Sequence, residues 1–308
     1  MTILPPLLLV SYAITAAVLG ARWLAGASWP RRMPRLGIAA WQVLTATATV
    51  SVLAAGLLVA VPCLPAGLNW DAAADLRQHY ASPAQIVTGL IAAGGIVAIM
   101  ARMTWAITAA MALARSRRVY HDEALALLGR PGPVPGMTVL ENDSPAVYCV
   151  PGRKRIVCTT GALDRLNRRQ LQAVLAHERA HLAGRHHLVI MLARALERAF
   201  PGIQFLATAA SERGCLVEMA ADDNAAHQGS RLALANALLA LATSSAPAGV
   251  LSAAGTAGAQ RIRRLLETPR PHGSARRNAG FAITLLAAPV LALAAPTVAL
   301  LVAPQCLT

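Results

Sequence analysis

The sequence predicts a mainly α membrane protein in which four transmembrane helices carry a cytoplasmic α+β domain between the third and the fourth. Three observations lead there. Of 308 residues 56% are hydrophobic and only 14% charged, with a mean hydropathy of +0.50, too apolar for a soluble enzyme. Four apolar runs each reach the ~20 residues a helix needs to cross a bilayer. Polar residues and short strand-like and helix-like patterns gather in one block, about His121 to His272. The expected divisions are 1–114 for three spans, 115–279 for the polar domain, and 280–308 for the fourth span with a short outer tail.

Ile3 to Ala25 is apolar and lacks the basic beginning and small-residue cleavage site of a secretory signal, so it reads as a retained first span. Arg22, Arg31, Arg32 and Arg35 lie at its end and in the loop that follows. Leu36 to Val61 is the second span, closed by Pro62, Cys63 and Pro65. The loop Leu64 to Pro83 carries Asp71, Asp75, Arg77 and His79, without basic excess. The third span runs from about Ala84 to Ala101, and its helix either ends there or continues through Trp105 and Met111 as far as Arg115, Arg117 and Arg118. Phe281 to Ala303, preceded by Arg270, Arg276 and Arg277, is the fourth. Arginine marks the cytoplasmic ends of spans, so the amino terminus is expected outside and the polar domain inside a bacterial-type cell membrane. The formal charge of +14 follows the same topology, and no basic-and-aromatic pattern points to nucleic acid. Five cysteines without a C-x-x-C pair indicate neither a disulfide framework nor a thiolate metal site, although Cys63 and Cys306 would share the outer side.

Within the polar block, Gly129 to Gly136 (GRPGPVPG) is a turn-rich linker that cannot be helical. Met137 to Glu141, Ala146 to Val150 and Arg155 to Thr159 are β-branched stretches between turn residues, a small sheet. That sheet either packs under the next helices or offers an edge to an extended polypeptide. Gly161 to Leu166 is a short helix, and Asn167 suits the cap of the one after it. Ile203 to His227 and Leu232 to Ala242 are further helices, Ser244 to Gly258 is a small-residue stretch expected to be mobile, and Arg261 to Leu266 is a basic amphipathic turn before the membrane.

The chemistry is concentrated in LQAVLAHERAHLAGRHH, Leu171 to His187. His177 and His181 are four apart and so share one helix face, as joint coordination of one zinc ion requires. Glu178 stands about one residue's turn to the side, where a carboxylate reaches a zinc-bound water without being a ligand. It is the expected catalytic base. The apolar residues before the motif place it in a helix that can be buried, where two histidines and a glutamate without a metal would be costly.

A third ligand has two candidates. His177, Glu178, His181, Gly184 and His187 fit H-E-x-x-H-x-x-G-x-x-H, in which a glycine ends the helix and the last histidine returns to the metal. Against this, Leu188 to Phe200 continues at helical spacing, so Gly184 need not break the helix, and an unbroken helix carries His187 away. Glu218 and Asp222, four apart on a later helix, offer one carboxylate for the metal and another to orient a ligating imidazole. The glutamate is the preferred ligand, with His187 as the alternative.

VLAHERAHLAGRHH, then EMAADDNAA, preceded by SPAVYCVPGRKRIVCTTGALDRL and set between membrane spans, resembles the integral-membrane gluzincin peptidases: the BlaR/MecR-type antirepressor peptidases and the HtpX-like and CAAX-prenyl proteases. The resemblance implies one zinc per chain, held by His177, His181 and Glu218, with Glu178 as base and Asp222 behind a ligand. Three spans before the domain and one after match the BlaR/MecR plan, which implies a zinc endopeptidase cutting a cytoplasmic protein such as a transcriptional repressor. Arg185 and His186 are closer to the HtpX-like proteases, whose role is membrane quality control. No penicillin-binding sensor domain is matched, so antibiotic sensing does not carry over. A transmembrane sensor with a merely structural zinc is the non-enzymatic alternative; a base at Glu178 argues against it. The expected partners are a protein substrate and the lipid bilayer, with no direct nucleic acid; substrate, trigger and oligomeric state are not legible.

Overall fold

The computed structural model describes residues 4–60, 83–151, 155–245, 254–267, 280 and 283–284. Three helices are long and apolar enough to cross a membrane: α1, Leu4–Gly26; α3, Pro34–Ala60; and α4, Pro83–Leu128. A π-helical turn at Ala16–Gly20 interrupts α1, and the short α2, Trp29–Arg32, links it to α3. The first two agree with the expected spans to within two residues. The third differs: α4 runs unbroken for 46 residues, well past Arg115 to Arg118, because no glycine or proline falls between Gly95 and Gly129. The loop 64–82, the cysteine pair Cys63 and Cys306, and all but two residues of the fourth expected span at 281–303 lie outside the described residues.

The linker after α4 is non-helical, as its prolines require, but its first residues are part of the sheet. β1 (Gly129–Pro131) pairs antiparallel with β2 (Met137–Leu140), β2 runs parallel to β4 (Arg155–Thr159), and β4 is antiparallel to β3 (Val147–Val150), giving the order β1-β2-β4-β3. Gly129 is needed where helix becomes strand, since a Cβ there would lie 2.4 Å from the carbonyl oxygen of Leu125. Pro131 is tolerated because β1 is an edge strand, where a missing N–H breaks no ladder. β4 is buried on both faces: Ile156 and Cys158 pack with Met137 and Leu175, while Val157 packs with Leu125 and Val150. That two-sided burial explains its unbroken apolar run.

α5 (Thr160–Arg165) leads to α6 (Arg168–Ala183), which opens with a capping box: the Asn167 side chain accepts from the Gln170 amide and the Gln170 side chain from the Asn167 amide. α6 carries the paired histidines. It does stop at the glycine, contrary to the unbroken helix expected from the spacing: Arg185 takes the left-handed conformation (φ 48°, ψ 37°), and α7 begins afresh at His186–Ala199. The apolar periodicity survives because two helices meeting at a tight turn each keep their own period. α8 (Gln204–Gln228), α9 (Arg231–Ser245) and α10 (Ala254–Leu266) follow. The ends of the stretch expected to be mobile, Ser244 to Gly258, thus belong to α9 and α10, and 246–253 lie outside the described residues.

The helix bearing Glu218 shares its core with the apolar spans. Trp41 and Leu44 of α3 pack in one cluster with Ala209, Leu216, Val217 and Ala220 of α8. Arg213, 2% exposed, spans the seam: its Nε donates to the carbonyl of Ala209 (2.9 Å) and its other guanidinium nitrogen to Thr45 Oγ1 (3.2 Å). A buried guanidinium is tolerated where hydrogen bonds of this kind replace its hydration. On the other side Arg102 of α4 donates to the carbonyl of Ala199 at the end of α7, a backbone oxygen left open by helix termination. α8 and α7 are therefore tied to the long apolar helices α3 and α4, the first by packing and Arg213, the second by Arg102.

Candidate metal centre

His177 and His181 lie one turn apart on α6 and project toward Glu218 on α8. The two Nε2 atoms are 3.0 Å apart. Glu218 Oε2 lies 3.5 Å from His177 Nε2, and Oε1 lies 3.5 Å from His181 Nε2. Ligand atoms of the three residues all fall within 4.8 Å of one another. Donors about 2.0–2.1 Å from a tetrahedral zinc stand roughly 3.3 Å apart, so two nitrogens and a carboxylate fit that ion in number, type and spacing. His177 is 5% exposed whereas 36% of the Glu218 side chain is open, so the group is closed behind and accessible in front.

Asp222 brings its Oδ1 to 3.0 Å from His177 Nδ1, on the far side of the imidazole from Glu218. The E-x-x-x-D spacing thus does two jobs from one face of α8. Burial opposes a charge on His177, yet Asp222 and Glu218 hold its pKa up at about 9. Burial pushes His181 down to about 4 despite Glu218, with His177 and His186 adding to the effect. Burial would raise Glu218 and Asp222, but His177 and Arg261 outweigh it; Glu218 is lowered and Asp222 falls to about 2. Glu218 and Asp222 are therefore favoured in the ionised form that a cation site needs, whereas His177 would have to give up its proton to bind a metal.

Glu178 sits beside the histidines, and its Oε2 accepts from the amide of Cys149 on β3 (2.9 Å). Burial raises its pKa, partly offset by His177 and by that amide. A carboxylate tuned upward from its usual range is the right kind of proton acceptor. The packing role that its strands suggested is seen, since Ile156 and Cys158 pack against Leu175 of α6, and β3 is the outer strand on the Glu178 side, with its Cys149 amide donated to that carboxylate.

His187 is not in the group of ligand atoms found among the described residues. The helix breaks as that arrangement needs, yet it is His186, one residue earlier, that turns back: its Nδ1 lies 3.1 Å from His181 Nδ1.

The residues least visible in the sequence are two arginines of α10. The run that reads as a basic turn in front of a membrane is a clamp on the site. Arg261 Nε and a second guanidinium nitrogen bind the two oxygens of Asp222 at 2.8 Å each, and the third lies 3.0 Å from Glu218 Oε2. Arg264 forks onto Asp223 through its two terminal nitrogens (2.7 and 2.8 Å), and its Nε donates to the carbonyl of Arg31. The only sequence signal was complementary, three carboxylates in EMAADD and three arginines in RIRR-type order about forty residues on. Removing Arg261 takes both guanidinium contacts from Asp222, whose side chain is 1% exposed, and leaves it facing His177 alone among the charged partners described. Breaking a buried pair of this kind costs about 3–5 kcal/mol, and lysine lacks the planar fork. Arg261→Ala is expected to lower the melting temperature by several degrees and to release zinc, with Arg261→Lys intermediate; a thermal melt and metal content at wild-type values would show the clamp to be idle.

Comparison with known proteins places this geometry. Residues 110–234 match the sequence profile of Peptidase family M48. The chain is 35% identical over 74 residues to Protease HtpX of Legionella pneumophila strain Philadelphia 1, covering 23% of this chain and 26% of that protein. It is 34% identical over 73 residues to Protease HtpX of strains Corby and Lens, at the same coverage. The match thus spans about a quarter of the length of these curated relatives. No solved structure matches. His177, Glu178, His181, Glu218 and Asp222 all lie inside residues 110–234, the segment that is similar to Peptidase family M48.

Proposed function

We propose that this chain is a membrane-embedded zinc endopeptidase that cleaves a protein substrate at the cytoplasmic face. The observation that carries the reading is a two-histidine, one-glutamate group within 4.8 Å with a half-buried carboxylate, Glu178, beside it. His177, His181 and Glu218 would hold the zinc. The ion would polarise the scissile carbonyl and make a water acidic near neutral pH. Glu178 takes the proton of the attacking water and passes it to the leaving amine. Asp222 orients His177, and Arg261 keeps Asp222 and Glu218 ionised and in place. The outer strand β3, whose Cys149 amide meets Glu178, suits an extended polypeptide added as a further strand beside the base.

Two substrate classes fit. One is a single regulator, such as a transcriptional repressor, in the manner of the BlaR/MecR-type peptidases. The other is misfolded membrane protein, the role that the resemblance to the HtpX-like proteases implies and that fits equally. Substrate trapping separates them: a Glu178→Gln chain that retains one dominant partner supports regulation, and a broad collection of membrane proteins supports quality control. Recovery of no protein, from a chain that holds zinc, would favour a structural metal in a sensor. The orientation is checked by labelling a cysteine introduced at exposed Arg179, which an impermeant reagent should reach only after the inner face is opened.

A further inference from the structure

His181 turns its Nε2 toward His177 and Glu218, so its other ring nitrogen faces away from the centre. An imidazole that binds a metal through Nε2 carries its proton on Nδ1, and that proton needs an acceptor to fix both ring orientation and tautomer. For His177 the group at this place is a carboxylate, Asp222. For His181 it is a second imidazole: Nδ1 of His186 lies 3.1 Å away, with ring centroids 5.0 Å apart and planes at 89°.

We propose that His186 is a positioning residue of the metal centre, accepting the Nδ1–H of His181 through its own Nδ1 and so fixing the second ligand as Asp222 fixes the first. The inference rests on the zinc reading of the triad. It assigns a purpose to the break after α6. His186 follows directly on His181's helix, and an unbroken helix would send its side chain around the cylinder, away from a residue five positions earlier. Two features prevent that. Arg185 adopts φ 48°, a conformation uncommon for a residue with a side chain and often found where function constrains the backbone. Gly184 leaves the space: a Cβ there would lie 2.3 Å from Nε2 and 2.6 Å from Cδ2 of His186. The imidazole therefore lies back over the end of α6, across a position where only glycine leaves room for it.

The two ligands are then backed differently, one by an anion and one by a neutral ring. A neutral acceptor orients without adding negative charge, which suits a site that already holds Glu218, Asp222 and Glu178.

The test uses the full-length chain in detergent with Glu178→Gln present to prevent self-cleavage. Zinc affinity is read by competition with a chelator, and the visible spectrum is read after cobalt replacement. If this parent chain holds no zinc, the proposed function fails and the inference falls with it. If the parent holds zinc, His186→Ala is expected to loosen it by about 10–100-fold and to shift the cobalt bands. His186→Gln, whose amide oxygen can accept the same hydrogen bond, should keep the parent's affinity within a few-fold. Gly184→Ala keeps His186 but displaces its ring, and should resemble His186→Ala in both readouts. His187→Ala should change neither. Parent-like zinc affinity and cobalt spectrum in His186→Ala would overturn the proposal, as would equal loss in the alanine and glutamine variants, which would make the ring a packing element. Should His186→Ala fail to fold, the glutamine and Gly184→Ala variants decide the question alone.

Discussion

Glu178→Gln is expected to abolish peptide cleavage while leaving zinc in place. Glutamine keeps the size of the side chain and can still accept the Cys149 amide, so fold and metal group are preserved. It cannot take a proton from the attacking water. Positioned acid–base groups contribute roughly 10²- to 10⁴-fold in rate, and a loss at the upper end is expected because the same carboxylate serves both proton transfers. Metal content by atomic emission and turnover of a trapped substrate check the two halves separately. Full activity in the variant would remove Glu178 as base; loss of both zinc and activity would mean that it holds the fold or the ion instead.

The second large effect distinguishes the candidates for the third ligand. Glu218→Gln is expected to lose zinc on dialysis, whereas His187→Ala retains it. Each Glu218 oxygen lies 3.5 Å from a histidine Nε2, and an amide in place of the carboxylate removes the negative charge from the group proposed to hold the ion. The effect should exceed the ~10–100-fold typical of groups that only orient a ligand. His187, outside the ligand group, offers nothing to lose. Zinc lost from His187→Ala but kept by Glu218→Gln would reverse the assignment and would place the tight turn at Arg185 in the service of a different histidine.

Much of the local architecture was legible. Apolar runs long enough to span a bilayer gave α1 and α3 nearly to the residue, since each is bounded by glycine, proline or arginine. Asn167 announced the start of α6, and the structure adds Gln170 as its partner in a capping box. The length of α4 was underestimated because arginines, read as the end of a membrane run, are good helix formers and stop nothing. The break after Ala183 was missed for a related reason: periodicity reports which residues are apolar, not whether one helix or two present them.

What the sequence determined by itself was everything that rests on neighbours along the chain. Spacing of four placed His177 with His181 and Glu218 with Asp222, each pair on one helix face, because helix geometry is the same wherever a helix forms. The tertiary structure alone decided which faces meet. It set β2 beside β4 in parallel, brought Arg261 across 39 residues to Asp222, and turned His186 rather than His187 back toward the centre. Those outcomes depend on packing between segments remote in sequence and on the room left by a missing side chain at Gly184. Neither leaves a periodic trace, so neither can be read until the chain is folded.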